Sequence, residues 1–172
     1  MAIPLPLRIL WNHLCKLFRK EQPINLSLPS SNSLSKPTYE FKYLRFKRPS
    51  LREELESSLT AEKLKACVDK FGEFCHNSFG KTPVITCVWR TPEEQIELYG
   101  ELKPSAHFLV PFCRAVDIRV QKRNGIPYFF TQTELDIFSE FLTLHFPRSD
   151  SLPPVLFHGE GDSFHIHIQV EV

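Results

Sequence analysis

Two short stretches carry the residue types that could do chemistry, SAHFLVPFCRAVDIRV at 105–120 and FHIHIQV at 164–170. Read as strands, whose side chains alternate between two faces, both sort the same way. In the first, Val116, Ile118 and Val120 share one face while Ala115, Asp117 and Arg119 share the other. In the second, Phe164, Ile166, Ile168 and Val170 oppose His165, His167 and Gln169. Side by side in one sheet, the two strands would bring Asp117 to the histidine pair, and His107 upstream can fold over to join them. His107, Asp117 and one histidine of the pair then make a two-histidine, one-carboxylate set. Such a set suits a divalent metal, because three protein ligands leave a fourth tetrahedral position for water, the arrangement of a catalytic zinc. Water held there becomes a usable nucleophile near neutral pH.

The elements that must position these residues can be read in chain order. Residues 8–20 place Ile9, Leu10, Leu14, Leu17 and Phe18 at helical spacing among basic residues, and residues 21–38 are a Ser- and Pro-rich linker or draped loop. A basic amphipathic segment of this kind more often packs on its own domain than lies on a membrane surface. The YEFKYLRFKRPSLR stretch alternates aromatic and basic residues and reads as a solvated edge strand rather than a nucleic-acid surface. Ser58 or Thr60 could cap a helix over Ala61–Asn77, with Leu64, Cys67, Val68, Phe71, Phe74 and Cys75 as its buried stripe and Gly80 just past its end. The β-branched run Pro83–Trp89 is a central strand ending at Arg90. Thr91-Pro92-Glu93-Glu94 then starts a helix to about Leu102 in the favoured order of cap, first-turn proline and first-turn acids. A turn at Arg123-Asn124-Gly125 precedes a third helix over 131–145 with Leu135, Phe138, Phe141 and Leu142 inward. Val155–His158 and Phe164–Val170 close the chain as a hairpin through Gly159–Asp162.

The implied fold is α+β, a small, mostly antiparallel sheet with helices on its apolar face and the metal on its open one. Residues 1–40 are the N-terminal segment and linker, and 41–172 the working domain. With 21 Lys and Arg against 20 Asp and Glu, no global field favours nucleic acid as a partner, and a monomer is expected. Five cysteines without a CxxC spacing argue against a disulfide scaffold. Cys113 lies between ligand candidates and could be a further ligand, but free cysteine is more often a small buried residue. His13, His76, His145 and His158 are expected in surface or packing roles. Asn12, His13 and Lys16 interrupt the apolar start of the chain, so a signal peptide is not expected.

A helix, a strand ending in arginine followed by TPEEQ, then Ser-x-His, Ala-x-Asp and a C-terminal His-x-His come in an order that resembles the zinc D-alanyl-D-alanine peptidases. That group takes in D,D-carboxypeptidases, D,D-dipeptidases, phage L-alanyl-D-glutamate endolysins and, by shared fold, the signalling domain of hedgehog proteins. The resemblance covers about Leu59 to Val172. It implies zinc bound by His107, Asp117 and His167, with Arg90 steadying the substrate or the developing oxyanion. Ser105 would lie near the substrate's carboxylate, and His165 beside the metal. The family pattern SxHxxGxAxD leaves six residues between histidine and aspartate, whereas nine lie between His107 and Asp117, and Cys113 stands in place of the glycine. The loop must therefore bulge before the strand.

Family members carry a catalytic Asp or Glu three or six residues before the last ligand, which from His167 gives Phe164 and Gly161. Counting three back from His165 gives Asp162, so a register with His165 as the ligand and His167 beside it stays open. Asp162 is the preferred general base and Glu160 the alternative. The expectation is a zinc metallopeptidase hydrolysing peptidoglycan stem-peptide bonds that involve D-amino acids, acting in the periplasm or cell wall of a bacterium or for a phage. A zinc-bearing binding domain without turnover is the second reading. A non-haem iron oxygenase, which also uses two histidines and a carboxylate, fits poorly with the helices read here.

Overall fold

The computed structural model describes residues 39–109, 111–120, 130–149, 152–159 and 163–171, within the compact unit Thr38–Val172. The segment 8–20, the linker 21–38, the turn at Arg123–Gly125 and the two carboxylates Glu160 and Asp162 lie outside the described residues.

In chain order the elements are β1 (Arg45–Phe46), α1 (Ser50–Glu56), α2 (Glu62–Phe79), β2 (Val84–Cys87), α3 (Pro92–Tyr99), β3 (Ala115–Arg119), α4 (Gln132–His145), β4 (Val155–His158) and β5 (His165–Gln169). The strands form one five-stranded mixed sheet in the order β1-β2-β3-β5-β4, so the architecture is α+β. β1 and β2 are parallel, and the other three pairings are antiparallel. Strands β3 and β5, distant in sequence, are central neighbours, so their polar faces coincide.

Helix α2 buries the stripe its 3.6-residue period gives, Leu64, Cys67, Val68, Phe71, Phe74 and Cys75. In α4 the inward set is Leu135, Phe138, Phe141 and Leu142. These two faces share one core with Ile85, Val116, Ile118, Ile166 and Ile168 of the sheet, and the Phe74 and Phe141 rings stack 4.0 Å apart. Each fully buried side chain of this size contributes about 1.5–3 kcal/mol by leaving water. Gly80 adopts a left-handed φ of 63° and ends α2 as expected. Helix α3 begins at the Thr91/Glu94 capping box and stops at Gly100, before the expected Leu102.

Two local expectations are corrected. Neither Ser58 nor Thr60 caps α2: Ala61 holds the cap position without a side-chain bond, and the Thr60 hydroxyl donates instead to the Glu54 carbonyl at 2.7 Å. The YEFKYLRFKRPSLR stretch gives only a two-residue edge strand and then turns into α1, which buries Leu51 and Leu55. No helix among the described residues is long and apolar enough to cross a membrane.

Lys81, just past α2, reaches the capping glutamate of α4, with Nζ 2.7 Å from Glu134 Oε1. Burial works against the Glu134 charge, but hydrogen bonds from Lys81 and Thr131 outweigh it and hold its pKa below the ordinary glutamate value. A carboxyl depressed in the folded state adds stability above its unfolded pKa, near 4.5, and loses it as pH falls through the folded value. Glu134→Gln is therefore expected to cost about 1 kcal/mol at pH 7 and less at an acid pH below the ordinary glutamate value, where the wild-type carboxyl takes up its proton. Urea unfolding at the two pH values checks this, and a gap that stays constant would refute it.

Candidate metal centre

The sheet sets out the polar groups in rows. Across β2, β3, β5 and β4, Cys87 pairs with Asp117, Asp117 with His167, and His167 with Leu156. One step along, Arg119 pairs with His165 and His165 with His158. Cys87 joins the first row because β2 carries an extra residue between Ile85 and Cys87. Such a bulge reverses the alternation, so Ile85 and Val88 both face the core while Cys87 turns to the open face.

His107 enters from the turn ahead of β3. Its backbone N–H donates to Ser105 Oγ at 3.3 Å, and its carbonyl accepts from the Arg90 N–H at 3.3 Å. The ring is almost fully buried, and Nδ1 lies 2.7 Å from the Val88 carbonyl. A carbonyl can only accept, so Nδ1 carries the proton, and Nε2 is the nitrogen that bears the lone pair whenever the ring is neutral. That fixes the tautomer a metal ligand needs.

Asp117 is the meeting point. Its Oδ1 lies 2.9 Å from His167 Nδ1, 3.2 Å from His107 Nε2 and 3.6 Å from His165 Nε2. Its Oδ2 accepts from Arg90 Nη2 at 3.1 Å. Despite its closeness to Oδ1, the buried His107 Nε2 makes no hydrogen bond. A lone pair on nitrogen facing a carboxylate oxygen at that distance needs a positive charge to reconcile them, either a proton or a metal ion. The electrostatics say the same. Burial opposes a charge on His107, yet Asp117 and Cys87 outweigh it and push its pKa up to about 10. Burial likewise opposes the Asp117 charge, but His107 and His167 hold its carboxyl well below the usual range.

Cys87, His107 and Asp117 each bring a ligand atom within 4.8 Å of the others, and the three can hold a metal ion. Nitrogen, oxygen and sulfur donors together suit a borderline divalent ion better than a hard one. His107 and Asp117 line a cleft of about 240 Å³ together with Tyr99, Pro104 and Leu156.

Of the residues singled out from the sequence, His107, Asp117, His165 and His167 come together, and Ser105 lines the cleft beside them. Arg90 is present too, but its guanidinium is turned onto Asp117, Gln95 and Cys87. Cys113 faces the core, its thiol against the Val88 and Ala115 carbonyls at 3.3 Å, and burial pushes its pKa up to about 12. His76 stacks on Tyr43 and His145 lies tilted against Phe141, both exposed, as expected of surface or packing roles.

His158 departs from its expected surface or packing role and lines the cleft. Its ring stacks on His165 at 5.7 Å and meets His167 edge-on at 5.1 Å. Burial and the neighbouring His167 and His165 lower its pKa. Sequence reasoning also missed Cys87 and Gln95. Comparison with protein-family models, with curated proteins and with solved structures finds no match for this chain.

Proposed function

We propose that the protein is a zinc-dependent peptidase acting on peptidoglycan stem peptides, hydrolysing amide bonds that involve D-amino acids. The observation that carries this reading is the convergence of His107, His165 and His167 on Asp117 Oδ1, with His107 Nε2 buried and unbonded. It supports a ligand set of His107, Asp117 and one histidine of the C-terminal pair, for which the resemblance implies His167. When bound there, zinc supplies Lewis acidity and a water made nucleophilic near neutral pH.

The chain's own residues do the rest. His167 presents Nδ1 to the site while its Nε2 lies 3.3 Å from Gln169 Oε1, which fixes the ring. His165 keeps Nδ1 on the Ser163 carbonyl at 2.7 Å, so its Nε2 stays directed at the reacting centre, where the doubly protonated ring can donate to charge developing on a carbonyl oxygen. Gly159 is needed beside that carbonyl: its φ is +79°, and a Cβ there would strike the Ser163 carbonyl. Ser105, at the cleft rim, offers a hydroxyl to the substrate. Asp162, or Glu160 in its place, takes the proton from water and returns it to the leaving amine.

A zinc-bearing domain without turnover is the second reading. It is favoured by the engagement of Arg90 with Asp117, which draws that cation away from a substrate. Digestion of purified muropeptides followed by mass spectrometry separates the two. The expected result is cleavage by wild type, loss on chelation, return with zinc, and loss in Asp162→Asn or Glu160→Gln. Intact muropeptides after incubation with folded, zinc-loaded wild type would leave the binding domain as the reading.

A further inference from the structure

We propose that Arg90 is a positioning residue for the metal site, holding the Asp117 carboxylate in ligand orientation while Gln95 holds Arg90 in turn. This rests on the metal-site reading above and assigns the arginine a different task from contact with substrate.

Arg90 touches the centre at three residues, His107, Asp117 and Cys87. Its backbone N–H donates to the carbonyl of His107, while Nη2 donates to Asp117 Oδ2 at 3.1 Å and lies 3.8 Å from Cys87 Sγ. Nη1 donates to Gln95 Oε1 at 3.4 Å. Gln95 is the one buried residue of α3, 4% exposed, on a helix that otherwise leaves Ile96, Leu98 and Tyr99 in solvent. A short helix burying an amide rather than its apolar residues is organised around that amide. The capping box at Thr91 fixes where the helix starts, and hence where Gln95 points.

The chemical consequence follows from the two oxygens of the carboxylate. With Oδ2 taken by a charge-assisted bond to a guanidinium that never deprotonates, Oδ1 alone is left toward the imidazoles. Asp117 is thereby oriented before any ion arrives. Partners of this kind behind a ligand are worth about 10–100-fold in metal affinity. An arginine that received substrate would leave metal affinity alone and act on KM.

The test is competition for zinc against a chromophoric chelator, together with the visible spectrum of the cobalt(II)-substituted protein, for wild type, Arg90→Met, Arg90→Lys and Gln95→Leu. Arg90→Met is expected to bind zinc about 10–100-fold more weakly and to shift the cobalt bands, which a purely structural role would not move. Arg90→Lys should recover part of the loss, since a point charge can reach one oxygen without the fork, and Gln95→Leu should show a smaller loss in the same direction. Folded Arg90→Met with zinc affinity within about twofold of wild type and unshifted bands overturns the proposal. Should Arg90→Met fail to fold, Arg90→Lys and Gln95→Leu are judged by the same criteria. Wild type that takes up no zinc defeats the metal reading and this proposal together. Zinc-binding wild type with unmoved variants defeats this proposal alone.

Discussion

Alanine at His107, Asp117 or His167 is expected to abolish near-stoichiometric zinc binding, whereas Cys87→Ala should keep it. Structural zinc sites release about 10–16 kcal/mol on binding, so removing one of three protein donors should cost on the order of 3–5 kcal/mol, roughly 10²–10⁴ in affinity. Cys87 is expected to matter less because its Sγ faces Nδ1 of His107, at 3.9 Å, and that nitrogen is already committed to the Val88 carbonyl. The nitrogen free for a metal, Nε2, points the other way, to Asp117. His165→Ala settles the register. Retained zinc makes His167 Nδ1 the third ligand, and lost zinc with His167→Ala still loaded reverses the assignment. Elemental analysis of the five variants beside wild type gives the answer. Loss in Cys87→Ala as deep as in His107→Ala would redraw the centre as a cysteine, histidine and aspartate site.

How far the sequence reaches depends on whether a residue's neighbours are set by local periodicity or by register. The stripe of α2 and the inward face of α4 repeat over several turns, and both could be read directly. The shared face of Asp117, His165 and His167 could be read for the same reason, since strand parity is a local property. Helix α1 could not, because Leu51 and Leu55 are a single i,i+4 pair after a stretch that alternates like a strand. Cys87 was hidden by the bulge in β2: strict alternation assigns it the core face of Ile85, and only pairing with β3 shows the extra residue. His158 depended on which residue of β4 stands opposite His165, a register that loop length does not give. Arg90 could be singled out from the sequence as following a core strand, though that strand ends at Cys87 rather than Trp89; its partner could not, because the Asp117 carboxylate comes to it across the sheet.

Asp117→Ala is also expected to destabilise the metal-free protein, by about 3–5 kcal/mol in urea unfolding of chelator-treated samples at pH 7. Asp117 and Arg90 are 8% and 12% exposed at their side chains, too buried for water to replace the lost partner. Removing the carboxylate strands the guanidinium, and the imidazole of His167 loses its acceptor as well. The buried pair need not be stabilising as a pair, because desolvating both charges offsets much of their attraction; it is the orphaned charge that is costly. The double variant Asp117→Ala/Arg90→Met is therefore expected to recover a large part of what the single variant loses. That recovery is the coupling a double-mutant cycle isolates. A single variant within about 1 kcal/mol of wild type would mean that Arg90 finds another partner or reaches solvent when Asp117 is gone. The arginine would then be mobile enough to meet a substrate, and its place behind the metal ligand would need to be given up. A large loss with full recovery would instead show that the arginine and the aspartate are paired before a metal binds, so the carboxylate is held in place from the moment the chain folds.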